Sequence, residues 1–265
     1  MDKGKILSNL HKNEDKLLLS KVFDRYEKSM RNSIPVHTDF LDPYQRAIVE
    51  KYIITDNCSF YGGYPGAERV IAVFVPEFMS ADIDNLDEEF NTFFRCIFIE
   101  SSKGDKLTHR DYLGALMALG IKREKIGDII LSNETNSCYI IVLSEIAEYI
   151  IFNLNKVGRK NVKVKECSKE QIPIPEKNIK SINTTVASLR LDCITGASLG
   201  ISRSKASEMI KSGKVYVNWE AVLNPDKQLK EGDTLSIRGK GRIMLAKIAG
   251  TTKRDRISIK LDKLV

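Results

Sequence analysis

The sequence predicts an α+β chain in which helices lead, a mixed domain follows and a small basic module closes. Three observations predict it. Apolar residues recur at helical spacing between Glu14 and Met30. From Phe93 to Cys167 the pattern alternates between strand and helix periods in the order βαββαβ. Charge is the third: Ser181 to Val265 holds 16 Lys and Arg against 8 Asp and Glu, and the first 180 residues hold 26 against 27. The whole net charge of +7 therefore comes from the final third, the asymmetry expected of a nucleic-acid-binding module joined to a neutral domain.

In the first segment Leu18, Val22, Tyr26 and Met30 step by four, with Leu19 and Phe23 beside them, which predicts an amphipathic helix that ends before Pro35. Asp42-Pro43 combines a capping residue with proline in a first turn, so a second helix is expected to about Ile54. Between Ser59 and Phe78, Gly62, Gly63, Pro65 and Gly66 separate an aromatic patch from the β-branched run Val70 to Val75, which predicts a hairpin. A phosphate-binding loop is disfavoured there, because the GK[ST] ending is missing and no helix opens after it. Tyr61 and Tyr64 read as core-edge aromatics, with base stacking as the alternative. The acidic stretch Ala81 to Asn91 reads as a surface loop or short helix.

Phe93 to Ser101 reads as a strand and Leu107 to Gly120 as a helix capped near Thr108. Two strands follow around the turn Asn133 to Asn136, then a helix from Glu145 and a last strand through Asn161 to Cys167. That order is the split-βαβ, ferredoxin-like or RRM-like plan, which specifies no function by itself. The basic-Gly-aromatic stacking motif of RNA-recognition sheets is absent, and Phe98 and Tyr139 are expected in the core. Gly158, Arg159 and Lys160 read as a solvated basic turn that could extend an RNA surface.

Two prolines among polar residues mark Ser168 to Asn178 as a linker. Beyond it, Thr184 or Thr185 is expected to cap a helix carrying Val186, Leu189, Cys193 and Ala197. A second helix runs from Ser202, with Ala206, Met209 and Ile210 on one side and Gly213 at its end, before the strand VYVN. Arg203 and Lys205 sit in its first turn, where cations oppose the helix dipole by a few tenths to ~1 kcal/mol each. Such a helix start makes sense if an anion docks there. Further on, Gly239 and Gly241 flank Lys240, with Arg238 and Arg242 outside them. The implied boundaries are 1–57 for the helical segment, 58–167 for the hairpin and βαββαβ domain, 168–181 for the linker, 182–250 for the basic module and 251–265 for a basic tail.

No apolar run approaches the ~20 residues of a membrane span, and the first sixteen residues lack the apolar core of a signal peptide, so a cytoplasmic protein is expected. Cys58, Cys96, Cys138, Cys167 and Cys193 lie 38, 42, 29 and 26 positions apart, which argues against a disulfide framework or a structural zinc site. His11, His37 and His109 have no companion motif. No metal, cofactor or catalytic residue is expected.

RLD at Arg190–Asp192, SRSKASEMIKSGKVYVN at Ser202–Asn218 and LKEGDTLSIRGKGR at Leu229–Arg242 together resemble the alpha-L RNA-binding domain named after small-subunit ribosomal protein S-four. FYGGYPGAER, THRDYLGALMALGIKREKIGDI and the RGKGR run resemble the YlmH family of bacterial RNA-binding proteins, over nearly the whole chain. This resemblance implies a non-enzymatic protein that binds structured rRNA and tRNA on the large ribosomal subunit in quality control or rescue, with a further link to cell division. Carried over residue by residue, it implies RNA contact at Arg190, Arg203, Lys205, Lys211, Lys214, Arg238, Lys240 and Arg242. Joint charge reversal of Arg203 and Lys205 is then expected to abolish RNA association without disturbing the fold. It implies no role for Tyr61 to Arg69. The alternatives are an RNA-modifying enzyme such as a pseudouridine synthase, for which the first 165 residues offer no Arg-rich catalytic-aspartate loop, and a division-machinery adaptor that RNA touches incidentally.

Overall fold

The structure is a computed structural model that describes residues 3–53, 55–79, 92–101, 106–132, 136–174, 179–252 and 255–264. The chain divides into two compact units, Met1–Pro175 and Glu176–Val265. The expected loop or helix at Ala81–Asn91 and most of the turn at Asn133–Asn136 lie outside the described residues.

The first unit is layered. Helices α1 (Lys3–Ser8) and α2 (Asn13–Asn32) precede the short strand β1 (Val36–His37) and helix α3 (Pro43–Tyr52). The Asp42 side chain accepts from the Gln45 N–H while the Gln45 side chain accepts from the Asp42 N–H, a reciprocal cap that starts α3 where the sequence places it. Strands β2 (Cys58–Tyr61) and β3 (Ile71–Phe74) form the expected hairpin, and with β1 they make a three-stranded sheet in the order β1-β3-β2. Alternation along β3 builds two cores at once. Ala72 and Phe74 pack with Leu19, Val22, Phe23 and Val49 of the helices. Ile71, Val73 and Val75 pack with Phe94, Cys96, Ile141 and Leu143 of the following sheet. A domain boundary at 57/58 is therefore corrected: it would cut through the core that the helices share with the hairpin.

That following sheet carries β4 (Phe94–Ser101), β5 (Ile126–Leu131), β6 (Ser137–Leu143), β7 (Lys156–Val157) and β8 (Lys160–Cys167) in the antiparallel order β5-β6-β4-β8-β7. With helices α4 (His109–Ala118) and α5 (Ser144–Asn153) this is the ferredoxin-like arrangement plus one short added strand. Ile97, Ile99, Ile140 and Val142 meet Tyr112, Leu116, Ala147 and Ile150 of the two helices on one face. Ser168–Ile172 is no linker: a short 3-10 turn follows Ser168, and Ile172 is buried with Phe94 and Ile141.

The second unit is a six-stranded antiparallel sheet with two helices. Its strands are β9 (Ile179–Val186), β10 (Val215–Val217), β11 (Glu220–Ala221), β12 (Thr234–Ile237), β13 (Gly241–Thr251) and β14 (Ile257–Leu264), in the order β11-β10-β12-β13-β14-β9. Helix α6 spans Leu191–Leu199 and helix α7 spans Arg203–Lys211. Two expectations are corrected. Thr184 and Thr185 cap no helix but pair in β9 with Ile259 and Ser258, and α6 starts at Leu191. Residues 257–264 are no tail: Ile259 and Leu261 are fully buried in a core with Leu191, Ile194, Ile210 and Ile243.

Candidate nucleic-acid interface

The helix pair is set by close approach and by capping. A Cβ added at Gly196 would lie 3.1 Å from the Ile201 carbonyl oxygen, with the Arg203 Cα 3.9 Å away, so glycine permits α6 and α7 to meet there. Ser202 caps α7 by accepting from the Lys205 N–H, and α7 ends at Lys211, with Ser212 as its C-cap and Gly213 at φ +70°. Ala206 and Ile210 are buried on its inner side.

The anion that answers the cationic start of α7 is part of the chain. Asp192, in the first turn of α6, is 3% exposed. Its Oδ2 accepts from Arg203 Nε at 2.8 Å and from Arg190 Nη2 at 3.1 Å, and its Oδ1 accepts from Arg190 Nε at 3.2 Å. Arg190 also donates to Asp226. Burial alone raises the pKa of Asp192, but the hydrogen bonds from Arg203 and Arg190 outweigh it and hold the carboxylate below its ordinary range. The same pairing pushes Arg203 up. Joint reversal of Arg203 and Lys205 would thus disturb the fold as well as the surface, because a glutamate at 203 would face Asp192.

Of the eight cations singled out from the sequence, Arg190 and Arg203 share this clasp. Lys205 and Lys211 are exposed along α7. Lys214 and Arg238 are neighbours across β10 and β12, where the Arg238 N–H donates to the Lys214 carbonyl at 2.9 Å. Lys240 is exposed in the turn joining β12 to β13, between Gly239 at φ +76° and Gly241 at φ +89°. Arg242 is half-buried on β13. It pairs with Ser236 in the register that buries Leu235, Ile237 and Ile243 in the core, so it belongs to the sheet face turned away from the helices. The eight therefore form a clasp, two exposed lysines along α7, Lys240 in the β12–β13 turn, and a group in which Lys214 and Arg238, one position beyond the buried pair Val215 and Ile237, share the sheet face of Arg242.

Asp192 and Asp226 are the residues that charge counting misses. The signal for Asp192 was its place two residues after Arg190, and nothing local marks Asp226.

The glycine-rich motif of the first unit is a structural fastening. Asp128 accepts from the Tyr64 hydroxyl at 2.7 Å, from the Glu68 N–H at 2.7 Å and from the Arg69 N–H at 3.1 Å. The Arg69 side chain donates to the carbonyls of Ile126 and Phe40. A Cβ at Gly62 would fall 2.3 Å from the Arg69 carbonyl oxygen. The motif thereby locks the hairpin turn onto β5.

A basic module of two abutting helices on an antiparallel sheet is the architecture of a small RNA-binding domain, and residues 196–235 match the family described as "S4 domain". Residues 87–171 match the family described as "Putative RNA-binding domain in YlmH". The chain is 34% identical over 231 residues to "Ribosome-associated protein quality control protein P2" of Bacillus subtilis (strain 168), across 85% of this chain and 86% of that protein. A solved structure titled "Cell division protein ylmH from Streptococcus pneumoniae" is similar at 22% identity and a TM-score of 0.47, over 62% of this chain and 98% of that one. The chain belongs to the YlmH family. Among the described residues no helix is long and apolar enough to cross a membrane.

Proposed function

We propose that this protein is a non-enzymatic, cytoplasmic RNA-binding protein that engages structured rRNA and tRNA on the large ribosomal subunit, in ribosome-associated quality control or rescue. The observation that carries the reading is the division of labour among the cations. Asp192 fixes two arginines at the helix junction, while Lys205, Lys211, Lys214, Arg238 and Lys240 remain exposed. Cations spaced by rigid elements select the phosphate pattern of a folded RNA by shape. The quality-control title of the Bacillus relative supports the ribosomal setting.

Co-sedimentation with purified large subunits across a salt series tests it. Five phosphate contacts give a slope of log affinity against log salt of about −3.5 to −4.5. Lys214→Glu with Arg238→Glu removes two contacts from exposed positions and is expected to flatten the slope by about 1.4 to 1.8. Undiminished co-sedimentation of that variant with an unchanged slope refutes the reading.

A further inference from the structure

The sheet of the first unit has a second face that the function above leaves unused. Phe94, Cys96, Ile141 and Leu143 on that face are covered by the three-stranded sheet. One step further along the strands, Phe98 and Tyr139 are register partners on the same face, and both are only half-buried, not enclosed in the core as the sequence suggests. Their ring centroids are 5.0 Å apart at 58°. On the neighbouring strand Lys165 is the partner of Phe98, and its Nζ stands 5.3 Å from the ring centroid. Alternation along β8 puts Lys163 on this face too, and the pairing of Lys156 with Asn161 adds a third lysine. All three are exposed, and none makes an ion pair among the described residues. Among the described residues, the acid in register with them is Glu100, opposite Lys163.

We propose that Phe98 and Tyr139, flanked by Lys156, Lys163 and Lys165, are a second RNA site that stacks bases of an unpaired strand. Aromatic faces accept any base, and the lysines bracket the phosphates between stacked bases. Lys165 acts as a placeholder: its cation–π contact with Phe98 gives way when a base takes the ring and a phosphate takes the ammonium. Lysine is depleted at the centres of protein–protein interfaces, so three lysines around two rings favour a polyanion over an apolar protein surface. The family match over residues 87–171 carries an RNA-binding description for this region but assigns no residue. The site is independent of the C-terminal cations and reads bases where those cations read phosphate shape.

The test uses the full chain and two probes, a fluorescein-labelled unstructured RNA decamer and a stable RNA hairpin. Phe98→Leu with Tyr139→Leu keeps apolar volume and is expected to weaken decamer binding at least tenfold while hairpin binding holds. Lys163→Gln with Lys165→Gln, which removes both cations without setting a second carboxylate opposite Glu100, is expected to do the same. Phe98→Trp is expected to retain binding. A thermal melt of each variant verifies the fold. Decamer affinity unchanged in both double variants overturns the proposal. Decamer binding lost only on reversal of Lys205, Lys211 and Lys240 also overturns it, by placing that strand on the C-terminal module. Failure of hairpin binding in the parent protein bears on the module alone.

Discussion

Asp192→Asn is the sharpest single perturbation of the C-terminal unit. The carboxylate is almost wholly buried and receives two bonds from Arg190, whose side chain is 29% exposed, and one from Arg203, whose side chain is 54% exposed. A hydrogen bond to a charged group contributes about 1.5–3 kcal/mol, and breaking a fully buried ion pair costs about 3–5. Water rehydrates both guanidinium groups here, so the Arg203 contact is counted as nothing and the Arg190 pair at its lower end, for a loss of about 2 kcal/mol. For a unit of this size that lowers the melting temperature by roughly 8–16 °C. The assay is differential scanning calorimetry of the full chain, with Asp226→Asn, at an exposed carboxylate, as the comparison that moves little. The sign with pH follows from the depressed pKa. Asp192 contributes fully above the ordinary carboxylate pKa of about 3.9 and loses that contribution as pH falls through its lower folded value. The parent and Asp192→Asn therefore converge in stability below about pH 4. A melt within 0.5 kcal/mol of the parent at neutral pH, on the order of experimental error, refutes the view that this carboxylate organises the helix junction.

Three further outcomes are expected. Gly62→Ala drives a methyl group into the Arg69 carbonyl, so the first unit loses about 1–3 kcal/mol in a denaturant titration or its hairpin fails to dock. Tyr64→Phe removes the hydroxyl bond to Asp128 and costs about 1–2 kcal/mol by the same measurement, with RNA association unchanged. Removal of residues 257–264 strips Ile259 and Leu261 from the core and leaves β9 without its partner, so the second thermal transition disappears; each leucine-sized side chain contributes about 1.5–3 kcal/mol.

Local patterns carried the sequence reading where partners are near in the chain, and failed where they are far. Leu19, Val22 and Phe23 are buried because a single amphipathic helix meets one sheet, and their spacing says so. The order of β4, β5, β6 and β8 is likewise written in runs whose neighbours follow within the domain, and the two-residue β7 is not. Thr184 and Thr185 misled because Val186, Leu189, Cys193 and Ala197 fit a helical period. The partner that draws Thr184 into a strand is Ile259, 75 positions on, invisible to any local window. Ile257, Ile259 and Leu261 did alternate with period two, but the lysines and arginines around them read as a solvated tail. The same blindness governs the site. Counting cations identifies a basic surface, yet whether an arginine is offered to a ligand or held by the fold depends on Asp192 and Asp226, which only the folded chain brings to it.

The clasp decides how each of its arginines meets RNA. Arg190 commits Nε and Nη2 to Asp192 and shares Nη2 with Asp226, so little of its fork remains. Arg203 commits only Nε, and its Nη groups make no hydrogen bond among the described residues. A guanidinium gripped at one edge and unengaged at the other is an oriented donor pair, suited to a phosphate approaching the start of α7. Arg203→Lys keeps the charge and discards the orientation, since an ammonium cannot serve Asp192 and a phosphate along two fixed edges. Under the proposed RNA contact it is expected to weaken binding to the large subunit about fivefold while the salt slope stays that of the parent, because the number of cations is unchanged. Equal affinity for Arg203→Lys and the parent would remove orientation from the mechanism and leave Arg203 as one more point charge.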